Sequence, residues 1–375
     1  MDFINLLCSS IYWPEGDFWT SLIRIFDFIG NYAWIIIVFT IVLKLVLSPL
    51  DFTQRFYMNK TTRAQAKLAP ELEKLKRQYG QNQNLLYQKQ NELYQKNNVN
   101  NRGSCVFMIV YLVLTLVIFI TLFNSMQFIA RENIKNQYNT LQTEYTQVFN
   151  EEYVQDYLGV DITGKETHIY TQEELEPYES LKPEMERAEH KAEAISHSQD
   201  NVYNKYEDVK VSWLWIKNIW VADKPTQKAV LSYDSYVAVT QDKAQDKVLY
   251  ENVMGKLSQE GSAYNTENGY YLLSIIVLLV SLLSQFITRK MSQPKAKDGS
   301  IAQTQNPMAS KVMMFIMPLI MVMFTLNSSS IFSLYLIANT LVTTLLTPII
   351  MGLCNKIEEK NEKTKYEQTK VDYRR

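Results

Sequence analysis

An all-α polytopic membrane protein is predicted, because the chain gathers its apolar residues into five long stretches, leaves strongly polar segments between them, and distributes Lys and Arg unevenly among those segments. The average composition, 47% hydrophobic and 21% charged with a net charge of -1, hides this segregation. Stretches long enough to approach about 30 Å of hydrocarbon occur at 34–50, 105–123, 270–288, 312–326 and 331–353. Five is odd, so the termini fall on opposite sides. Net charges of +6 for 51–104, +4 for 289–311 and +2 for 355–375 place these segments in the cytoplasm, whereas -3 for 1–33 and -11 for 131–268 place theirs outside. The expected plan is an outer N-terminus, five transmembrane helices, a cytoplasmic helical hairpin (51–104), a large extracytoplasmic acidic helix-rich region (124–269), a cytoplasmic loop and a basic cytoplasmic tail (354–375).

At the N-terminus no basic stretch precedes an apolar one, and Asp2, Glu15 and Asp17 argue against a cleavable signal. From Phe18 to Ile29 the apolar residues Phe18, Leu22, Ile25, Phe26 and Ile29 share a helical face, which predicts an interfacial amphipathic helix or an extension of the first crossing. Beyond that crossing, Leu68, Leu72 and Leu75, then Leu86, Leu93 and Tyr94, recur at helical spacing on either side of Gly80, and Pro70 suits the first turn of a new helix. The outer region is too long for a passive connection. Its stretch from Thr171 to Ser198 is helix-prone, and Trp213, Trp215 and Trp220 suit a membrane–water interface.

Lys44 is the one charge inside the five stretches. A lysine at the centre of a spanning helix costs about 2.5–3.5 kcal/mol on insertion scales, so it persists where it faces water, a counter-ion or a protein-lined cavity. Snorkelling to the cytoplasmic headgroups, about five residues away, is the competing account. Thr40, Lys44 and Ser48 form a line at i, i+4 and i+8. Ser274, Ser281 and Gln285 share a face of the third crossing, Asn339, Thr343 and Thr347 share one of the fifth, and the second supplies Thr115. A single intramembrane hydroxyl often just satisfies a backbone carbonyl. Converging lines predict a hydrophilic groove around Lys44 that opens inward. Met313, Met317 and Met321 form a further line on the fourth crossing, suited to varied apolar partners or to ordinary packing.

Catalytic chemistry has no residues to carry it, since no Gly-rich phosphate loop, Ser/His/Asp set or HExxH motif occurs. Cys8, Cys105 and Cys354 are isolated, and His168, His190 and His197 lack companions for a metal site. No enzyme activity, cofactor, metal or specific nucleic-acid binding is expected. An anion transporter or channel using Lys44 is the rival reading, though no internal repeat supports it.

The segments Ile41-Val-Leu-Lys-Leu-Val-Leu-Ser-Pro-Leu50, Leu68-Ala-Pro-Glu-Leu-Glu-Lys-Leu-Lys-Arg-Gln-Tyr-Gly80, Leu93-Tyr-Gln-Lys-Asn-Asn-Val-Asn-Asn-Arg-Gly-Ser-Cys105, Trp213-Leu-Trp-Ile216 and Asn306-Pro-Met308 follow one another in an order that resembles the YidC/Oxa/Alb family of membrane protein insertases. The resemblance covers about 18–131 and 213–353. It implies five crossings around a hydrophilic groove that is closed outside, a basic groove residue at the position of Lys44, and a cytoplasmic hairpin. It further implies that nascent membrane proteins are the clients, that no nucleotide is hydrolysed, and that the protein works in the bilayer of a bacterial plasma membrane as a monomer, with the ribosome and a Sec translocon as candidate partners. The acidic stretch from about Glu132 to Lys210 falls outside the resemblance, and Val106 to Thr121 lacks the family's usual Pro and Gln.

Overall fold

A computed structural model of the chain describes residues 18–97, 101–242, 246–292 and 307–372. Cys8 and most of the loop at 289–311, which includes Asn306, lie outside the described residues. Among the described residues the fold is helical, with only isolated bridges at Trp213–Ile216 and Lys228–Glu267.

The first helix, α1, is shorter than its apolar pattern predicts, ending at Phe18–Arg24 before a single 3-10 turn at Asp27–Ile29 and a left-handed Gly30 at φ 87°. That turn redirects the chain into the first crossing and changes the buried face. Thr20 and Ile23 are buried and Trp19 donates to Thr121 Oγ1 at 2.9 Å, while Phe18 and Ile25 of the expected apolar face are exposed.

Helix α2, Tyr32–Lys67, has 36 residues. At 1.5 Å per residue that is about 54 Å, so it crosses the hydrocarbon and continues as the first arm of the hairpin. Pro49 inside it cannot bond the carbonyl of Leu45, and the Ser48 hydroxyl donates to that carbonyl at 2.8 Å instead. The first arm goes on where Pro70 predicts a new helix, α3 at Ala69–Tyr79, and after the turn at Gly80 the second arm is α4, Gln83–Lys96, with Asn82 capping Leu85 N–H at 3.2 Å. Helix α5, Asn101–Phe149, runs 49 residues without a break, so the second crossing continues straight into the acidic region that the charge count expects outside, here the outer region.

A π-helical turn at Asn150–Tyr157 ends α5. Helix α6 (Gln172–Glu179) opens on a capping box between Thr171 and Glu174, and α7 (Glu184–Val209) packs back along α5. Helices α8 (Tyr233–Thr240) and α9 (Lys247–Ser258) complete the outer region. Here the buried Glu179 accepts from Tyr153 Oη at 2.7 Å, Gln172 Nε2 at 2.7 Å and Lys191 Nζ at 3.3 Å. Burial pushes this carboxyl up, but those donors outweigh it and hold it below its ordinary value of 4.5. A depressed folded value means that its stabilisation is complete above about pH 4.5 and is lost as pH falls through the folded value. The expected result for Glu179→Gln is a less stable outer region at neutral pH with a flatter acid limb, followed by near-ultraviolet dichroism. An acid limb of unchanged steepness would contradict it.

The remaining crossings are α10 (Leu272–Ser292), α11 (Pro307–Asn327) and α12 (Ser330–Asp372). Among the described residues four helices, α2, α5, α10 and α12, are long and apolar enough to cross a membrane, and the described part of α11 is apolar over Phe315–Asn327. Side by side, α2 packs on α12, α12 on α10 and α10 on α11, with α5 touching α2 and α12.

At the end of the bundle that carries the acidic region inserted between α5 and α10, the insertion end, a buried polar knot ties these helices to that region. Asp223 caps α10 by accepting from Tyr270 N–H at 2.8 Å and Leu273 N–H at 2.6 Å. Gly269 is required beside it, because a Cβ there would collide with Asp223 Oδ1. Asn268, fully buried, accepts from Asn218 N–H at 2.7 Å and donates to the carbonyls of Asn218 and Ala222 at 2.9 and 3.0 Å. Ser330, at the start of α12, donates its hydroxyl to Val221 O at 2.7 Å. Trp220 is 2% exposed and stands edge-on to Tyr32 at 4.9 Å, so its ring is part of this core. Trp213 and Trp215 are partly buried, Trp213 against Trp34 at 6.1 Å.

Candidate functional site

Seven residues is close to two helical turns, so Lys44 and Asp51 lie on one face of α2. Lys44 Nζ and Asp51 Oδ2 are 3.6 Å apart, with the side chains only 17% and 9% exposed. From α5, Tyr111 Oη donates to Asp51 Oδ1 at 2.5 Å, engaging the second oxygen. The lysine that stands out in the sequence thus has a counter-ion in its own helix. An uncompensated charge at this depth would be expensive, and removing either member would leave the other buried and unpaired.

Neither partner belongs to the polar lines. Asp51 lies one residue past the predicted end of the first crossing, and Tyr111 sits among aliphatic residues of the second. The two-turn spacing from Lys44 to an acid was the signal available for Asp51. Tyr111 had none.

Four hydroxyls of the lines are turned to their own helices, whereas Ser274 accepts from Thr325 Oγ1 of α11 at 2.9 Å. Thr40 donates to Ile36 O at 2.6 Å and is fully buried, Ser48 bonds Leu45 O, Thr115 bonds Tyr111 O at 2.9 Å, and Thr343 bonds Asn339 O at 2.7 Å. Each keeps lone pairs but has no proton left to offer. Ser281 is buried, and Gln285 and Asn339 are half-buried. On α11 the methionines part: Met317 is exposed, Met321 packs against the core, and the Met313 side chain lies outside the described residues.

The insertion end of this bundle is shut. Below the polar knot, Phe123 meets Phe332 at 4.8 Å and Phe119 meets Phe324 at 5.6 Å, so rings from α5, α11 and α12 close over one another. Toward the hairpin end α5 packs little, and Val110, Leu112, Val113 and Leu116 are exposed. There α2 and α12 are clamped by Arg63, which donates to Asn355 Oδ1 at 2.6 Å and pairs with the buried Glu358 at 3.6 Å.

Among the described residues no group of three His, Cys, Asp or Glu could hold a metal ion. The histidines go separate ways, His197 to Glu152 at 2.9 Å, His168 to Glu174 at 3.2 Å and His190 stacked on Tyr157 at 4.3 Å.

A family model described as 60Kd inner membrane protein matches residues 24–146. That match holds α1's last residue, the whole of α2 with Lys44 and Asp51, the hairpin, and α5 almost to its end, including part of the acidic stretch that the motif resemblance left out. The chain is similar to the membrane protein insertase YidC of Fusobacterium nucleatum, 36% identical over 92 residues, which is 24% of this chain and 43% of that protein. It is similar to the protein of that name from Neisseria meningitidis, 30% identical over 120 residues, 31% of this chain and 21% of the relative. The corresponding Thiobacillus denitrificans protein is 36% identical over 88 residues, 24% of this chain and 15% of the relative. The chain therefore spans less than half the length of these curated relatives. No solved structure matches it.

Proposed function

Because the chain belongs to the YidC/Oxa/Alb family through its matched segment, we propose that it inserts newly made membrane proteins and helps them fold, using a hydrophilic intramembrane groove and no nucleotide hydrolysis. One observation carries the reading: a polar seat formed by Lys44, Asp51 and Tyr111 lies inside an apolar bundle that is closed at the insertion end and loosely packed along α5 toward the hairpin end. Such a seat lets a client's polar tail leave water in steps instead of meeting the full hydrocarbon barrier.

In this reading Lys44 attracts acidic residues of the tail, with Gln285, Asn339 and the hydroxyl lone pairs of Ser48, Thr115, Ser281 and Thr343 supporting a hydrated path. Thr40, sealed in the packing with its hydroxyl on Ile36 O, backs this path one turn from Lys44. Met317 offers a soft apolar surface to a client helix on its way to lipid, and Met321 backs it from the core. The protein lies in the bacterial plasma membrane with its N-terminus outside, the α3–α4 hairpin receives clients in the cytoplasm, and the basic tail meets the ribosome. It works as a monomer, alone or beside a Sec translocon.

Photo-crosslinkers placed at Thr115, Gln285 and Met317 of the full chain, facing a stalled nascent membrane protein, test the proposal. Adducts are expected from all of these positions and not from the exposed Leu345 on the far part of α12. Equal labelling at Leu345, or no adduct from Thr115 and Gln285, would reject a groove route.

A further inference from the structure

We propose that Asp51 is an intramolecular stand-in for a client carboxylate, holding Lys44 at rest, so that an acidic tail engages Lys44 only by displacing it. The inference rests on the groove reading above and specifies how its charged site selects clients. Asp51 is 7% exposed and both of its oxygens are engaged, one by Lys44 and one by Tyr111. A client acid arriving at Lys44 therefore meets an occupied lysine. If it entered without displacement, two carboxylates would crowd one cation where both members of the present pair are largely buried, which is unfavourable. If it displaces Asp51, one lysine–carboxylate pair replaces another and the net charge of the site does not change. Capture and release then differ little in energy, as a site that must let its client go requires.

The released Asp51 has somewhere to go. It lies two turns nearer the hairpin end than Lys44, and Arg55 follows it at i+4, the spacing at which an acid N-terminal to a base pairs on a helix face. Asp51 thus sets a threshold: tails with a well-placed acid exchange with it, and neutral tails leave the pair intact. Tyr111 raises the threshold by holding Asp51 from α5.

The test uses the full-length chain in lipid vesicles and two single-span clients that differ only in whether a pair of tail residues is Asp or Asn. Asp51→Asn is expected to raise the rate of the acidic client relative to that of the neutral one roughly fivefold. Tyr111→Phe is expected to give a smaller gain of the same sign, and Lys44→Gln combined with Asp51→Asn to abolish the gain. If Lys44→Gln erases the preference for the acidic client while Asp51→Asn and Tyr111→Phe leave that preference unchanged or slow both clients alike, Asp51 is only a structural partner and the proposal fails. If Lys44→Gln alone leaves the preference intact, the underlying role of Lys44 fails instead. Should Asp51→Asn lower the folded fraction in detergent, Tyr111→Phe, which keeps the ion pair, decides between these outcomes.

Discussion

Asn268→Ala is expected to lower the stability of the closed end by about 3–5 kcal/mol, the size seen when several buried polar groups lose partners together. The side chain reaches three backbone groups at once: Asn218 N–H, Asn218 O and Ala222 O. All three lie in the segment that carries Trp220, caps α10 through Asp223 and anchors Ser330 of α12. Truncation leaves the buried N–H and carbonyl of Asn218 without the Asn268 amide, and takes from Ala222 O one of its two donors, Lys224 N–H remaining at 3.0 Å. Asn268→Asp keeps the acceptor, loses both amide donors and buries a charge beside two carbonyls, so it is expected to be at least as damaging. Trp220, edge-on to Tyr32 in the core, is a built-in reporter: its fluorescence should shift to the red at a lower denaturant concentration in either variant. A midpoint within about 0.5 kcal/mol of the parent, the range of ordinary surface substitutions, would show that the knot is dispensable.

This knot was invisible in the sequence because Asn218 and Asn268 are 50 positions apart and neither sits in a recognisable local motif. Apolar stretch length, by contrast, marked the crossings, and Pro70, Gly80 and Thr171 marked the helix starts and the hairpin turn, because those signals act within a few residues. The uninterrupted run of α5 was half legible: Ile134, Tyr138, Leu141 and Tyr145, all buried, continue a helical spacing past the apolar stretch, but the change from lipid to water masks it in any hydropathy average. For the hydroxyl lines, spacing cannot tell a hydroxyl that faces a groove from one bonded to the carbonyl a turn behind, as Thr40 and Thr343 are. Lys44 was found because its cost is local. Its partner was not, because counting charges by segment assigns Asp51 to the hairpin.

Lys44→Glu is expected to be the most damaging single change for insertion, slowing acid-tailed clients by more than about tenfold. A glutamate there stands against Asp51 where the parent has an ion pair at 3.6 Å, so one of the two carboxylates must take up a proton or α2 must shift, and the site repels acidic tails as well. Combining Lys44→Glu with Asp51→Lys separates structure from steering. The swapped pair restores neutrality on the same face of α2, so the folded fraction in detergent should recover. The cation, however, now lies seven residues nearer the hairpin end, about 10 Å by helical rise. Insertion should recover best for clients whose acidic residue sits correspondingly closer to the part of the tail that remains at the hairpin side, a preference measurable by moving one aspartate along an otherwise neutral tail. Recovery with the parent's positional preference would mean that the pair only holds α2 and α5 together. No recovery of any client, despite restored folding, would mean that the depth of Lys44 itself is what the reaction requires.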